Sequence, residues 1–95
     1  MSIPTYADRI AAKYETQYPL IKESINSAIL TGYTHTSSNG FTYFIAGVGE
    51  GWPEEELVNY LIKEYDQAGW ILEFEWADRD AEAGRVIVEI YKKAE

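Results

Sequence analysis

Residues 70–76 read Trp-Ile-Leu-Glu-Phe-Glu-Trp, and no other stretch of the chain restricts the fold as strongly. A period of two puts Trp70, Leu72, Phe74 and Trp76 on one side and Ile71, Glu73 and Glu75 on the other. That is a β-strand with one apolar face. A second alternation follows at residues 85–91, with Val86, Val88 and Ile90 inward and Ile87, Glu89 and Tyr91 outward. Residues 77–84 between them are polar and charged, which predicts an antiparallel hairpin with a polar loop.

Upstream of this hairpin the period changes. Leu57, Val58, Leu61, Ile62, Tyr65 and Ala68 recur at helical spacing. Trp52-Pro53-Glu54-Glu55-Glu56 opens that helix, since proline is tolerated at a first helical position and glutamates complement the positive end of the dipole. Gly69 ends it. Residues 41–46 read as a strand, and Gly47-Val48-Gly49-Glu50-Gly51 as a flexible loop. Residues 33–40 are polar and turn-rich. Asn39-Gly40 suits a two-residue hairpin turn, so residues 33–37 are either a short edge strand or a loop.

The N-terminal segment predicts a long amphipathic helix over residues 5–31, because Tyr6, Ile10, Tyr14, Tyr18, Ile21, Ile25, Ala28 and Ile29 share one stripe. Pro19 interrupts its ladder on the opposite side. One helix bending at Pro19 is the expectation, and two helices with Pro19 opening the second is the alternative. Gly32 suits a left-handed C-terminal stop.

The element order is α-β-α-β-β. The chain is thus read as a single α+β domain over residues 1–95. A strand–helix–strand crossover makes its flanking strands parallel. The most apolar strand, the last, belongs in the sheet centre, giving order 1-3-2, a split β-α-β. Both helices then cover one face. The other face shows Ile71, Glu73, Glu75, Ile87, Glu89 and Tyr91.

Composition removes several kinds of chemistry. The 95 residues include no cysteine, so disulfides, thiolate metal sites and cysteine nucleophiles are excluded. This suits a reducing cytoplasm, where the protein is expected to act. No apolar run approaches the span of about 20 residues that a membrane helix needs. The start, Met1-Ser2-Ile3-Pro4, lacks a signal-peptide pattern. Eight bases against sixteen acids give a net charge of −8, a poor match for phosphate backbones. Residues 1–49 sum to zero, so the whole excess lies in residues 50–95.

No enzymatic constellation stands out. The one histidine, His35, lies beside Ser37 and Ser38, but no orienting acid or oxyanion hole accompanies it. Residues 47–51 sit between a strand and a helix, where phosphate loops occur, yet they match neither GxGxxG nor a GK[ST] ending. Glu50, Glu54, Glu55 and Glu56 would also repel phosphate. They are hard oxygen donors for Mg²⁺ or Ca²⁺, but consecutive helical residues point about 100° apart and share no site. Asp78-Arg79-Asp80 lacks calcium-loop spacing as well. A glycosidase would need two carboxylates across a cleft, which so small a domain hardly builds. No cofactor and no metal is expected.

Two readings of the aromatics and acids remain. Trp52 either caps the core edge or anchors a partner. The acids Glu54, Glu55, Glu56, Glu73, Glu75 and Glu89, with Asp78, Asp80 and Glu82, either keep a small protein soluble or dock on a basic protein surface.

The layout resembles small accessory proteins encoded by phages and mobile elements. The likeness lies in the long first helix ending Thr31-Gly32-Tyr33, the polar turn, the second helix ending Ala68-Gly69-Trp70 and the closing hairpin. It implies a cytoplasmic, non-enzymatic protein that inhibits or sequesters by binding. The leading expectation is therefore docking of Glu54, Glu55, Glu56, Glu73, Glu75 and Glu89, with Trp52, on a basic protein. The alternative is a homo-oligomer that binds a small ligand between subunits, using aromatics and residues 47–51. Without a phosphate loop, ATP or GTP at millimolar concentration is expected to leave the melting temperature unchanged. A scanning-fluorimetry shift of several degrees would overturn that exclusion.

Overall fold

The computed structural model describes residues 3–76 and 85–93. The hairpin loop expected at residues 77–84 lies outside the described residues. Among the described residues three helices and four strands follow in the order α1 (Tyr6–Lys13), α2 (Gln17–Thr31), β1 (His35–Thr36), β2 (Thr42–Glu50), α3 (Glu55–Gln67), β3 (Trp70–Trp76) and β4 (Arg85–Lys92). The sheet order is β1-β2-β4-β3. Both β2 and β3 run antiparallel to β4, so they are parallel to each other with β4 between them. The expected α+β fold and its split β-α-β are therefore present, with the last strand inside the sheet. β1 adds the short edge strand.

The helices lie on one face because the fully buried apolar positions of the sheet point there. Ala46, Leu72, Val88 and Ile90 join Ile10, Tyr14, Ile21, Ile25, Ala28, Leu57, Leu61 and Tyr65 in one buried cluster. Burying an aliphatic side chain of this size contributes about 1.5–3 kcal/mol. Tyr65 brings its hydroxyl inside and donates it to Asn26 Oδ1, which removes the cost of an unpaired buried donor.

The long first helix is broken rather than bent. α1 stops at Lys13 and α2 begins at Gln17, so Pro19 stands in the first turn of α2. A helix has no use for the backbone N–H of its first turn, and proline lacks one. Breaking the chain one turn earlier thus costs less than carrying Pro19 inside a continuous ladder. At the start of α1, Thr5 accepts from the Asp8 amide at 3.1 Å and Asp8 accepts from the Thr5 amide at 2.9 Å, a reciprocal cap.

Four expectations for turns and helix ends change. Gly32 does cap α2, but with φ −74°, not left-handed. Glycine is needed there because a Cβ would stand 2.5 Å from the Ala28 carbonyl oxygen. The hairpin between β1 and β2 is longer than two residues. Ser37 and Phe41 close it through a 2.9 Å backbone bond, and only Gly40 has positive φ, at 84°. That is a type I turn followed by a glycine bulge. The glycines at 47 and 49 do not form a loop: β2 continues to Glu50 through a bulge between Gly47 and Gly49. Glycine at the bulge tolerates the φ of 110° seen at Gly49. Pro53 precedes the cap residue Glu54 and is not the first helical residue.

Ile25 is fully buried between α2 and the sheet, whereas Leu30 on the same helix is 80% exposed. Ile25→Ala is expected to cost about 2–5 kcal/mol in urea unfolding. Leu30→Ala should stay within about 0.5 kcal/mol. Equal losses at the two positions would contradict this placement of the core.

Candidate functional site

The predicted site residues separate into two groups. The first gathers where α3 starts. Glu56 accepts from Lys13 Nζ at 3.1 Å, Arg9 Nε at 3.3 Å and Tyr6 Oη at 3.2 Å. Tyr14 donates its hydroxyl to Glu54 at 2.6 Å and to Glu56 at 3.2 Å. Arg9 and Lys13 are four residues apart on α1, so one helix face presents both cations. The Lys13 and Arg9 bonds hold the Glu56 carboxyl down to about 2, from an ordinary 4.5. Tyr14 is pushed up, first by its bond to Glu54 and then by burial.

Glu54 and Glu56 therefore tie α1 to α3. Their charge is largely answered inside the molecule, and a partner would have to compete with Arg9 and Lys13 for it. Glu55, between them, is exposed. Trp52 stands with its ring 5.5 Å from Trp76 and 6.4 Å from Phe74, so it covers the end of the core while staying 45% exposed.

The second group forms on the sheet face that no helix covers among the described residues. Register assembles it in rows across the strands. His35, Tyr43, Tyr91 and Ile71 make one row, Ile45, Glu89 and Glu73 the next, and Gly47, Ile87 and Glu75 the third. Tyr43 stacks on Tyr91 at 5.3 Å and His35 lies 5.5 Å from Tyr43. The single histidine is thus a strand residue against a tyrosine ring. Ser37 is occupied in the turn, where its hydroxyl oxygen accepts from the Phe41 amide.

Carboxylate oxygens of Glu73, Glu75 and Glu89 lie within 4.8 Å of one another. Glu73 and Glu89 are direct cross-strand partners. Tyr91 donates its hydroxyl to Glu89 at 2.7 Å, and the carboxylate raises the tyrosine well above its usual value. These oxygens are of the kind that divalent cations prefer. No helix in the described residues is long and apolar enough to cross a membrane.

Tyr43, Ile45 and His35 were not legible as members of this face. The strand at residues 41–46 carries apolar residues on both sides, so its own pattern does not tell which side is open. Only its pairing with residues 85–91 decides that. The between-subunit pocket expected at residues 47–51 also loses its loop, since β2 takes up those residues as far as Glu50. A groove of about 490 Å³ lies elsewhere, between α1 and α3, lined by Tyr6, Tyr60, Lys63 and Glu64 among others.

Comparisons with protein-family models, with curated proteins and with solved structures give no match.

The folded-state value of Glu56 is depressed, so its contribution to stability is present above about pH 4.5 and is lost as pH falls through about 2. Glu56→Gln is accordingly expected to lower the melting temperature at pH 7 and to converge with the parent protein near pH 2. Circular-dichroism melts at several pH values check this, and a deficit that does not change with pH would refute the charged latch.

Proposed function

We propose that the protein is non-enzymatic and acts by docking its uncovered acidic sheet face on a basic surface of another protein. The carrying observation is the Glu73–Glu89 cross-strand pair. Like charges directly opposite each other destabilise a sheet. A surface that needed only solubility could place its acids apart, as α2 does with Glu23 and α3 with Asp66. Here the repulsion is concentrated at one point among Ile45, Ile71, Ile87 and the Tyr43–Tyr91 stack. Arg85 stands on the same face at the far end of β4, two residues from Ile87, while the apolar groups around Glu73 and Glu89 favour a partner that brings the opposite sign.

The internal latch narrows the docking residues. Glu73, Glu75 and Glu89 carry the interaction in this reading. Glu55 and Trp52 lie at the start of α3 as secondary contributors, and Glu54 and Glu56 serve the fold. Small accessory or inhibitor proteins of phage type work by such docking, and that setting, in the cytoplasm, is part of the proposal. A chain without cysteine suits a reducing compartment.

Glu73→Lys separates the two roles of the acids. It replaces a repulsive pair by an attractive one, so the fold should gain about 0.2–1 kcal/mol. The same change should abolish salt-sensitive capture of basic proteins, identified by mass spectrometry, while Glu23→Lys on α2 leaves capture intact. A Glu73→Lys protein that is more stable and still retains every partner would show that the face only solubilises.

A further inference from the structure

The sheet ends differently at its two edges. β1 contributes two residues, too few to template another strand. β3 forms the opposite edge over seven residues, and its register against β4 runs without a bulge from Trp70↔Lys92 to Trp76↔Val86. Natural edge strands are blunted by charged side chains, especially lysine, and by proline, a bulge or brevity. β3 has no lysine, proline or bulge and is long; its only charges are Glu73 and Glu75, which repel another acidic edge and admit a basic one. Among the described residues no strand lies beyond it.

One hydrogen bond sets which backbone groups point outward. Lys93 donates its amide to the Gly69 carbonyl at 2.9 Å, which makes Gly69 and Lys93 a hydrogen-bonded pair of the ladder. Such pairs recur at every second residue. Ile71, Glu73 and Glu75 therefore aim their amides and carbonyls at β4. Trp70, Leu72, Phe74 and Trp76 aim theirs away from the sheet, while their side chains lie on the helix-covered side.

We infer that this edge takes up an extended segment of a partner protein with Lys or Arg at alternate positions, which pairs antiparallel to β3 as a fifth strand. The inference rests on the docking function proposed above and gives it a geometry. Leu72 and Phe74 supply the outward amides and carbonyls. The incoming residues opposite Glu73 and Glu75 then form non-hydrogen-bonded pairs, whose Cα atoms lie about 4.5 Å apart. Lysine or arginine at those two positions sets a cation directly across from each carboxylate, and opposite charges so placed stabilise the pairing. The residues between the cations fall on the other side, beside the apolar shelf of Trp76 and Trp52, and are apolar.

Charge also decides against a second copy of this chain. Pairing two β3 strands antiparallel over their full length sets Glu73 of one copy directly against Glu73 of the other with Glu75 as a diagonal neighbour, and like charges across strands repel. A basic strand meets no such repulsion.

The probe is a short synthetic peptide alternating lysine and valine, titrated into the full-length protein at low salt. Glu73→Lys should weaken its binding about tenfold or more, which is about 1.4 kcal/mol. Glu73→Gln should fall between the two, and both variants must melt no lower than the parent protein. Two N-methylated peptides then test the backbone. In antiparallel addition the valine amides face β3, so methylation at the valines abolishes binding and methylation at the lysines preserves it. Slowed exchange of the Leu72 and Phe74 amides should accompany binding. Equal affinity of the two methylated peptides, whether kept or lost, overturns the strand pairing, as does failure of the parent peptide to bind. Loss with Glu73→Lys but indifference to methylation leaves the acidic face standing. Binding indifferent to Glu73→Lys removes the acidic face itself.

Discussion

The inward side of β4 is the constraint on which the rest of the structure depends. Val86, Val88 and Ile90 are at most 1% exposed, so strands must flank β4 on both sides and helices must cover it. β2 and β3 take the flanking places, each antiparallel to β4. They are then parallel with one strand between them, and α3 provides the connection that such strands require. The period of two sends Ile87, Glu89 and Tyr91 to the opposite side. The strand that nucleates the core therefore also builds the open face. No change of register could improve one without moving the other.

Electrostatics follow the fold more than the order of the chain. The first half of the sequence is neutral and the second carries the whole excess of acid. In space this division disappears. Arg9 and Lys13 meet Glu54 and Glu56, and Lys22 meets Glu64 at 3.1 Å. All three cations of the N-terminal half are thus spent on acids of the C-terminal half. Tyr18 joins the last of these pairs through its hydroxyl and is pushed up to about 12, first by desolvation and then by its bond to Glu64. Exposed pairs of this kind stabilise little one by one, but they link α1 and α2 to α3 at three points. The carboxylates of Glu73 and Glu89 lie on the far side of the sheet from those helices, which is why their charge stays concentrated.

Much of the fold was legible because hydrophobic period is a local property. β3 was read with its correct bounds, β4 to within a residue, and α3 by its stripe. Their order followed from one rule about crossovers and one about the most apolar strand. Where reading fell short, a competing local signal was stronger. The periodic stripe from Tyr6 to Ile29 spoke for one helix, and it outweighed what Pro19 costs a ladder. Three glycines in five residues spoke for a loop, although a bulge uses glycine equally well. Gly32 was read for its freedom of φ, yet its role is to let the chain pass close to Ala28.

The acidic residues show the division most clearly. Sequence by itself determined that this chain is a small α+β domain, that Glu73, Glu75 and Glu89 share one side of a hairpin, and that no thiol chemistry is present. Each of those follows from residue identity and a repeat of two or 3.6. Tertiary structure alone decided which acids are answered and which are left in company. Glu56 looked like an ornament of a helix start until Arg9 and Lys13, more than forty residues away, closed on it. Glu73 and Glu89 became opposing charges only when β3 and β4 paired in one register. Charge acts through space and falls with distance between atoms, and separation along the chain does not report that distance.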